Sequence, residues 1–232
     1  MSGTDRGSGL PSWQRVLVVV AHPDDESFAL GALLDRFVAA GAEVSVLCLT
    51  RGEASTLGGD VQDLPAVRDA ELREAAAALG VTRSTLLAHP DGRLSQLDPA
   101  VLEADVSSEV ATVRPDGILV FDPDAGVTGH ADHASASLAA IAVARDRGIP
   151  ALGWVLPAHV ADALNAEYGS AFAGHAPDGL VAVEVDRARQ LRAVRCHASQ
   201  AVPGSVLWRR LELLGDVEHV RRLPAIRDGI DH

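Results

Sequence analysis

The chain has 232 residues, of which 47% are hydrophobic, 3% aromatic and 22% charged, and its formal net charge is −12. This composition is typical of a folded globular chain with room for one α/β domain. The negative charge disfavours binding to nucleic acid or to an anionic membrane surface. No apolar run approaches the roughly 18 residues that span a bilayer, and residues 1–11 contain no apolar signal-peptide core. We therefore expect a cytoplasmic protein.

The chain contains no lysine, so all 20 of its basic residues are arginine. This absence excludes a Schiff base on a side chain and a lysine-bearing phosphate loop. For the domain organisation, we expect a flexible N-terminal segment over 1–12 and a single domain over 13–232. The part of this domain from about residue 157 has a less regular pattern.

The hydrophobic pattern predicts strands that alternate with helices. In chain order we expect a strand over 15–20, a helix over 27–40, a strand over 43–50, a helix over 63–79, a strand over 84–88, a helix over 99–113, a strand over 117–121, a helix over 131–146 and a strand over 151–156. Beyond these, residues 180–185 have a strand pattern, and 187–197 and 205–214 have helical patterns. The alternation predicts a Rossmann-like α/β fold with a doubly wound, mainly parallel sheet.

Two polar clusters directly follow the first and the fourth predicted strands. The first is His22-Pro23-Asp24-Asp25-Glu26, and the second is His130-Ala131-Asp132-His133. In the common strand order 3-2-1-4-5, the loops after strands 1 and 4 border the crevice where ligands bind. The topology therefore predicts a site at the C-terminal ends of these two strands.

The spacing within each cluster suits metal binding. His22 and Asp25 are three residues apart, as are His130 and His133, so each pair can share one face of a helical turn. Two imidazoles and one carboxylate, with a fourth position open to water, are a recurring ligand set of zinc hydrolases. The remaining carboxylates can deprotonate the water or orient a histidine.

Each cluster alone also has a simpler interpretation. Carboxylates at the start of a helix are often only caps that favour the positive end of the helix dipole. A His-x-x-His pair is equally compatible with a capped surface turn. The predicted convergence of the two clusters at one crevice favours a functional site over these alternatives.

Three segments of the sequence resemble the LmbE-like, or PIG-L, family of zinc-dependent N-acetylglucosaminyl deacetylases. The resemblance rests on residues 21–26, 129–133 and 197–200, and it extends from about residue 16 to 214. It implies that His22, Asp25 and His133 hold the zinc ion. It also implies that Asp24 is the general base for the attacking water.

The resemblance further implies roles for four side chains around the metal. His130 would stabilise the oxyanion or protonate the leaving amine, and Asp132 would orient His130. Arg68 and Glu53 would lie at the substrate. Some sugar-conjugate deacetylases carry a tyrosine at the position of Thr128, whose hydroxyl cannot replace a phenol. The role of the segment 197–200 is left open.

These observations predict a metal-dependent hydrolase that removes an acetyl group from an N-acetylglucosamine-type conjugate. Its cofactor would be Zn²⁺, with Fe²⁺ or another divalent ion as alternatives. An amidase for a larger N-acyl or thiol-conjugate substrate stays open, as does a non-catalytic metal-binding or regulatory protein. A dinucleotide-binding module is disfavoured, because the first strand is not followed by a glycine-rich turn. We expect a small-molecule amino-sugar partner and no nucleic acid or membrane.

Overall fold

The structure, a computed structural model, describes residues 9–57, 59 and 61–224. Within these ranges the strands are β1 (Arg15–Val20), β2 (Glu43–Thr50), β3 (Arg83–His89), β4 (Gly117–Phe121), β5 (Ala151–Pro157), β6 (Gly174–His175), β7 (Val181–Glu184) and β8 (Val217–Leu223). The helices are α1 (Asp25–Phe28), α2 (Gly31–Ala39), α3 (Leu64–Leu79), α4 (Pro99–Val113), α5 (Ala131–Arg147), α6 (Ala158–Tyr168), α7 (Ala188–Cys196) and α8 (Val206–Leu214).

The sheet is mainly parallel and has the predicted central order. Its strands follow one another as β3-β2-β1-β4-β5-β8-β7, and the pairs from β3 to β5 are parallel. Strand β8 pairs antiparallel with both β5 and β7, and the short β6 pairs with β5. The predicted Rossmann-like, doubly wound fold is confirmed.

The two faces of the sheet bury separate aliphatic cores. Along β1, Val16 and Val18 point to one core, and Leu17 and Val19 point to the other. The first core also contains residues of α2 and α3, and the second contains residues of α4 and α5. Because both faces of the central strands are covered, these strands are continuously apolar in sequence.

Four features differ from the predicted elements. The helix predicted over 27–40 is two helices, α1 and α2, separated by Ala29 and Leu30. Helix α6, the two-residue strand β6 and strand β8 were not predicted. Most residues of β8 are charged or polar, so its sequence hides the alternation of a strand. Of the predicted flexible segment, residues 1–8 lie outside the described residues, and Leu10 packs in the first core.

Candidate metal centre

The two predicted clusters meet at the carboxyl ends of the neighbouring strands β1 and β4. His22 and Asp25 follow β1, and His133 lies in the first turn of α5, which follows β4. His22 Nδ1 is 3.0 Å from His133 Nε2, although 111 positions separate the two residues. Each of the three residues is at most 9% exposed.

The distances between the donor atoms suit a metal ion. Asp25 Oδ1 lies 3.2 Å from His133 Nε2, and Asp25 Oδ2 lies 3.7 Å from His22 Nδ1. Donors around a tetrahedral zinc ion, each about 2.0–2.1 Å from the metal, lie about 3.3 Å apart. The set of two imidazoles and one carboxylate therefore fits a zinc-sized cation. His130 approaches the same two imidazoles, so it is an alternative third donor.

The Asp25 carboxylate is held in its orientation by the backbone. Its Oδ2 accepts hydrogen bonds from the amides of His22 and Ala21, at 2.9 and 3.2 Å. Burial alone would raise the pKa of Asp25, but His133 and His22 lower it well below its usual range. Asp25 is therefore an ionised ligand candidate on a rigid loop.

The second ring nitrogen of His22 faces two further carboxylates. His22 Nε2 lies 3.0 Å from Asp91 Oδ1 and 3.5 Å from Asp132 Oδ2. Although burial disfavours the charged ring, Asp132 and Asp91 raise the pKa of His22 to about 10. The two carboxylates hold a proton on the far nitrogen, Nε2, and a bound metal ion would displace the second proton of the ring from the near nitrogen, Nδ1. These three residues also form a second possible cation group, but we assign the two carboxylates to orienting His22.

The position of Asp132 differs from the expectation that its carboxylate orients His130. The carboxylate accepts hydrogen bonds from the amides of Gly92 and Leu94 at 2.7 and 3.0 Å and approaches His22. Only the backbone amide of Asp132 contacts His130, at a distance of 3.2 Å to Nδ1. The reason is that Asp132 points from the first turn of α5 towards the loop after β3.

His130 is the N-cap residue of α5, and its Nδ1 accepts the Asp132 amide hydrogen. In the neutral ring the proton is therefore on Nε2. Burial and the neighbouring rings of His22 and His133 lower the pKa of His130, which favours this neutral form. His130 can thus donate a hydrogen bond from Nε2.

Thr128 contacts the His133 ring at Nδ1, the nitrogen that does not face His22 and Asp25. Its Oγ1 lies 2.7 Å from His133 Nδ1 and fixes the ring orientation. When Nδ1–H donates to Thr128, the lone pair of Nε2 faces His22 and Asp25. Thr128 therefore supports a metal ligand rather than replacing a phenol.

Asp24 lies beside the donors in a strained backbone conformation, with φ 134°. Its carboxylate accepts a hydrogen bond of 2.9 Å from Arg68 Nη2, and its amide donates to Glu26 Oε2 at 3.0 Å. Burial raises the pKa of Asp24 to about 6, against the lowering effect of Arg68. A carboxylate with a raised pKa is suited to accept a proton.

A cavity of about 620 Å³ opens over these residues. This volume is within the range of small-molecule sites. Polar side chains and aromatic or aliphatic ones both line it. Among the lining residues are His22, Asp24, Asp25, Phe28, Leu57, Arg68, Asp91, Phe121, Thr128, His130, His133, Phe172, Ser205, Val206, Leu207 and Arg210.

The family model PIG-L, described as GlcNAc-PI de-N-acetylase, matches residues 17–144, which is more than half of the chain. This segment contains both clusters. The chain belongs to the PIG-L family.

Relatives and solved structures agree with this membership. A 1D-myo-inositol 2-acetamido-2-deoxy-alpha-D-glucopyranoside deacetylase of Kineococcus radiotolerans is 31% identical, over 81% of this chain and 69% of the relative. A probable N-acetyl-alpha-D-glucosaminyl L-malate deacetylase of Bacillus cereus is 31% identical, over 52% of this chain and 56% of the relative. The N,N'-diacetylchitobiose deacetylase of Pyrococcus horikoshii superposes with a TM-score of 0.66 at 22% identity, covering 92% of this chain and 85% of that chain.

In this PIG-L protein, Arg68 has a larger structural part than the sequence predicted. It is 2% exposed, and its guanidinium donates to the carbonyls of Gly52 and Pro23 as well as to Asp24. Glu53 is exposed and is not among the cavity-lining residues. Its carboxylate accepts the Asp91 amide at 3.0 Å and so holds the loop that carries Asp91.

The segment after α7 reaches the site through Glu26. His197 Nε2 lies 2.7 Å from Glu26 Oε1, and both side chains are fully buried. Because Glu26 also accepts the Asp24 amide, this pair supports the strained residue. Farther along, Ser199 donates twice to the buried Glu71 carboxylate, at 2.8 Å from its amide and 2.7 Å from its hydroxyl.

Two contacts were not predicted from the sequence: that of Asp91 with His22, and that of Thr128 with His133. The Pro90-Asp91-Gly92 turn follows β3, two strands away from β1, so the topological argument did not bring it to the crevice. The available signal was that residues 90–92 also resemble the family. Within the described ranges, no helix combines the length and apolarity needed to cross a bilayer.

Proposed function

We propose that the protein is a zinc-dependent N-deacetylase that releases acetate from an N-acetylglucosamine-type conjugate. The observation that carries this proposal is the convergence of His22 Nδ1, Asp25 and His133 Nε2 beside a carboxylate of raised pKa. The deacetylase activities of the named relatives support the reaction class. The absence of a membrane-spanning helix in the described ranges is compatible with the cytoplasmic location that we propose.

In this proposal His22, Asp25 and His133 hold the metal, and the orienting carboxylates of Asp91 and Asp132 keep the proton of His22 on Nε2. A zinc ion bound there supplies a Lewis acid that polarises the amide carbonyl and lowers the pKa of water. Zinc suits two imidazoles and a carboxylate, and Fe²⁺ or another divalent ion is the alternative.

Protein side chains perform the proton transfers and hold the substrate. Asp24 accepts the proton of the attacking water, and its raised pKa matches this role. His130 donates a hydrogen bond from Nε2 to the developing oxyanion, and the leaving amine takes up the proton that Asp24 removed from the water. Arg68 holds Asp24 in place and, as a cavity-lining residue, contacts the sugar. Glu53 contributes to sugar binding by holding the loop of Asp91.

A panel of N-acyl amino sugars tests this function. The purified protein is stripped of metal with a chelator, reloaded with zinc, and incubated with N-acetyl, N-butanoyl and N-octanoyl glucosaminides. We expect free amine and acetate from the N-acetyl compounds only after zinc is restored. Faster release of free amine from the N-butanoyl or N-octanoyl compounds than from the N-acetyl compounds would favour an amidase for larger acyl groups. Zinc binding without hydrolysis of any compound would favour a non-catalytic protein.

A further inference from the structure

Arg210 differs from the other two buried arginines of the described ranges. Arg68 pairs with Asp24 at 2.9 Å, and Arg187 pairs with Glu218 at 2.6 Å. Arg210 is 94% buried and has no carboxylate partner within 4.0 Å among the described residues. A buried cation without a counterion is unfavourable unless another anion reaches it.

The contacts of Arg210 leave most of its donors unused. Its Nη2 donates to the Phe28 carbonyl at 2.5 Å, and the guanidinium lies 5.1 Å from the centre of the Trp154 ring. Its Nε has no hydrogen-bond partner in the described part of the chain. Arg187, in contrast, donates from all three of its nitrogens. The Nε of Arg68 is also unpaired among the described residues, so the missing carboxylate is the feature that separates Arg210 from both other arginines.

Arg210 also lines the cavity, together with the first turn of α8. The N-cap residue Ser205 makes no capping hydrogen bond, and its buried hydroxyl has no partner among the described residues. Ser205, Val206 and Leu207 all line the same cavity. The first amides of a helix are free donors at the positive end of its dipole, and residues three or four apart share a face. Arg210 is thus on the same side of α8 as these amides.

We propose that Ser205, the first turn of α8 and Arg210 form a subsite for an anionic group, a carboxylate or a phosphate, carried by the substrate. The subsite rests on the proposed function, because it selects among the conjugates that this cavity deacetylates. Burial lowers the pKa of Arg210 only to about 10, so the guanidinium stays charged at neutral pH. The subsite therefore supplies local positive charge in a protein whose net charge is −12.

Matched substrate pairs test the subsite. One pair is N-acetylglucosaminyl L-malate and its dimethyl ester, which places the charge on the aglycone. The other is the methyl glycoside of N-succinylglucosamine and its N-butanoyl analogue, which places the charge on the acyl group. In one of the two pairs the negative charge will reach the subsite. For that pair we expect the kcat/KM of the wild type to be about 10- to 100-fold higher for the anionic substrate than for its neutral analogue, mainly because KM is lower.

Variants of two adjacent arginines separate the subsite from general charge effects. Arg210→Gln should reduce the preference to about 1, and Arg210→Lys should restore part of it. Arg209→Gln is the matched control, because Arg209 lies on the same helix and, among the described residues, forms ion pairs only with Glu167 and Glu212 at the surface. If the melting curve shows that Arg210→Gln does not fold, the preference for the anionic substrate is measured in Ser205→Ala and Arg210→Lys instead. Both variants should show a smaller preference than the wild type.

Binding of the anionic product gives a readout without turnover. Calorimetric titration with glucosaminyl L-malate, the anionic product of the first pair, and with succinate, the anionic product of the second, should show tighter binding of one of them to wild type than to Arg210→Gln. Equal kcat/KM within both pairs, with product binding unaffected by Arg210, would overturn the subsite while leaving the deacetylase proposal intact. Binding that depends on Arg210 without hydrolysis of any probe would support the subsite and refute the deacetylase proposal.

Discussion

The side chains of His133 and Arg68 are each positioned by a small neighbouring residue. Thr128 fixes the His133 ring through Nδ1, and Gly52 leaves space for the Arg68 guanidinium. A Cβ atom on Gly52 would lie 2.1 Å from Arg68 Nη1, and the residue has φ +64°. The orientation of Asp24 therefore depends on a glycine two residues after β2.

Gly52→Ala tests this dependence. We expect turnover to fall at least about tenfold, because a displaced Arg68 releases the Asp24 carboxylate, while the zinc content stays that of the wild type. Gly148→Ala is the matched control, with φ +65° and no atom within 4 Å of the added Cβ. It should cost about 1 kcal/mol of stability and no activity. Equal turnover of the two variants would contradict the proposed link.

At the same scale, the sequence predicted that the two polar clusters meet, but not all of the contacts within them. The family resemblance implied His22, Asp25 and His133 as metal ligands, and the structure brings these three side chains together. Spacing does not show which ring a carboxylate reaches, so Asp132 was expected at His130 and lies at His22. The contact depends on the angle at which α5 leaves its strand.

At the scale of elements, α7 supports the loop after β1. Its C-cap residue, His197, contacts Glu26, and its Gln190 side chain donates to the carbonyls of Ser27 and Phe28. Helix α1 is only four residues long, so it depends on such contacts rather than on its own hydrogen bonds. The short α1 allows Asp24 and Asp25 to face the cavity from one turn.

His197→Gln tests the support from α7. The buried Glu26 carboxylate then faces a neutral amide instead of an imidazole that can carry a positive charge. We therefore expect the unfolding free energy to fall by about 3 kcal/mol. Turnover should fall while bound zinc is retained, because Glu26 contacts Asp24 rather than the donor atoms. His89→Gln, in a more exposed pair with Asp105, should cost less than about 1 kcal/mol. Unchanged turnover in His197→Gln would argue against a positioning role.

The predictable elements are those whose burial is uniform. Strands β1, β2, β4 and β5 are almost entirely buried, and their apolar runs gave their positions and the strand order. Strand β8 was missed because Glu218 is buried by pairing with Arg187 and Trp154, which a sequence pattern does not reveal. A local hydrophobic pattern therefore does not predict a strand whose buried residue is charged and has partners distant in the sequence.

For the whole molecule, strand β8 connects the C-terminal part of the chain to the central sheet through its pairing with β5. Glu218 accepts hydrogen bonds from Trp154 Nε1 at 2.8 Å and from Arg187 Nη1 at 2.6 Å, and it is 1% exposed. Arg187 also donates to Gln190 of α7, at 2.7 Å. A buried network of this kind links β5, β8 and α7 in one structural unit.

Glu218→Gln should therefore lower the unfolding free energy by about 3–5 kcal/mol, because Arg187 would keep its buried charge without a carboxylate. Thermal or denaturant unfolding measures this loss. Glu212→Gln, whose side chain is 71% exposed, should stay within about 1 kcal/mol of the wild type. Similar losses for the two variants would show that the network does not stabilise the fold as proposed.

The division between metal ligands and base is the central claim, and zinc content measured beside turnover tests it most directly. Asp24→Asn should bind about one zinc ion per chain, as the wild type does, and lose about 100- to 10,000-fold in kcat. His133→Ala should lose the zinc itself, and elemental analysis of the purified variants reads out the difference. Undiminished turnover in Asp24→Asn, or an unchanged zinc content in His133→Ala, would contradict the account.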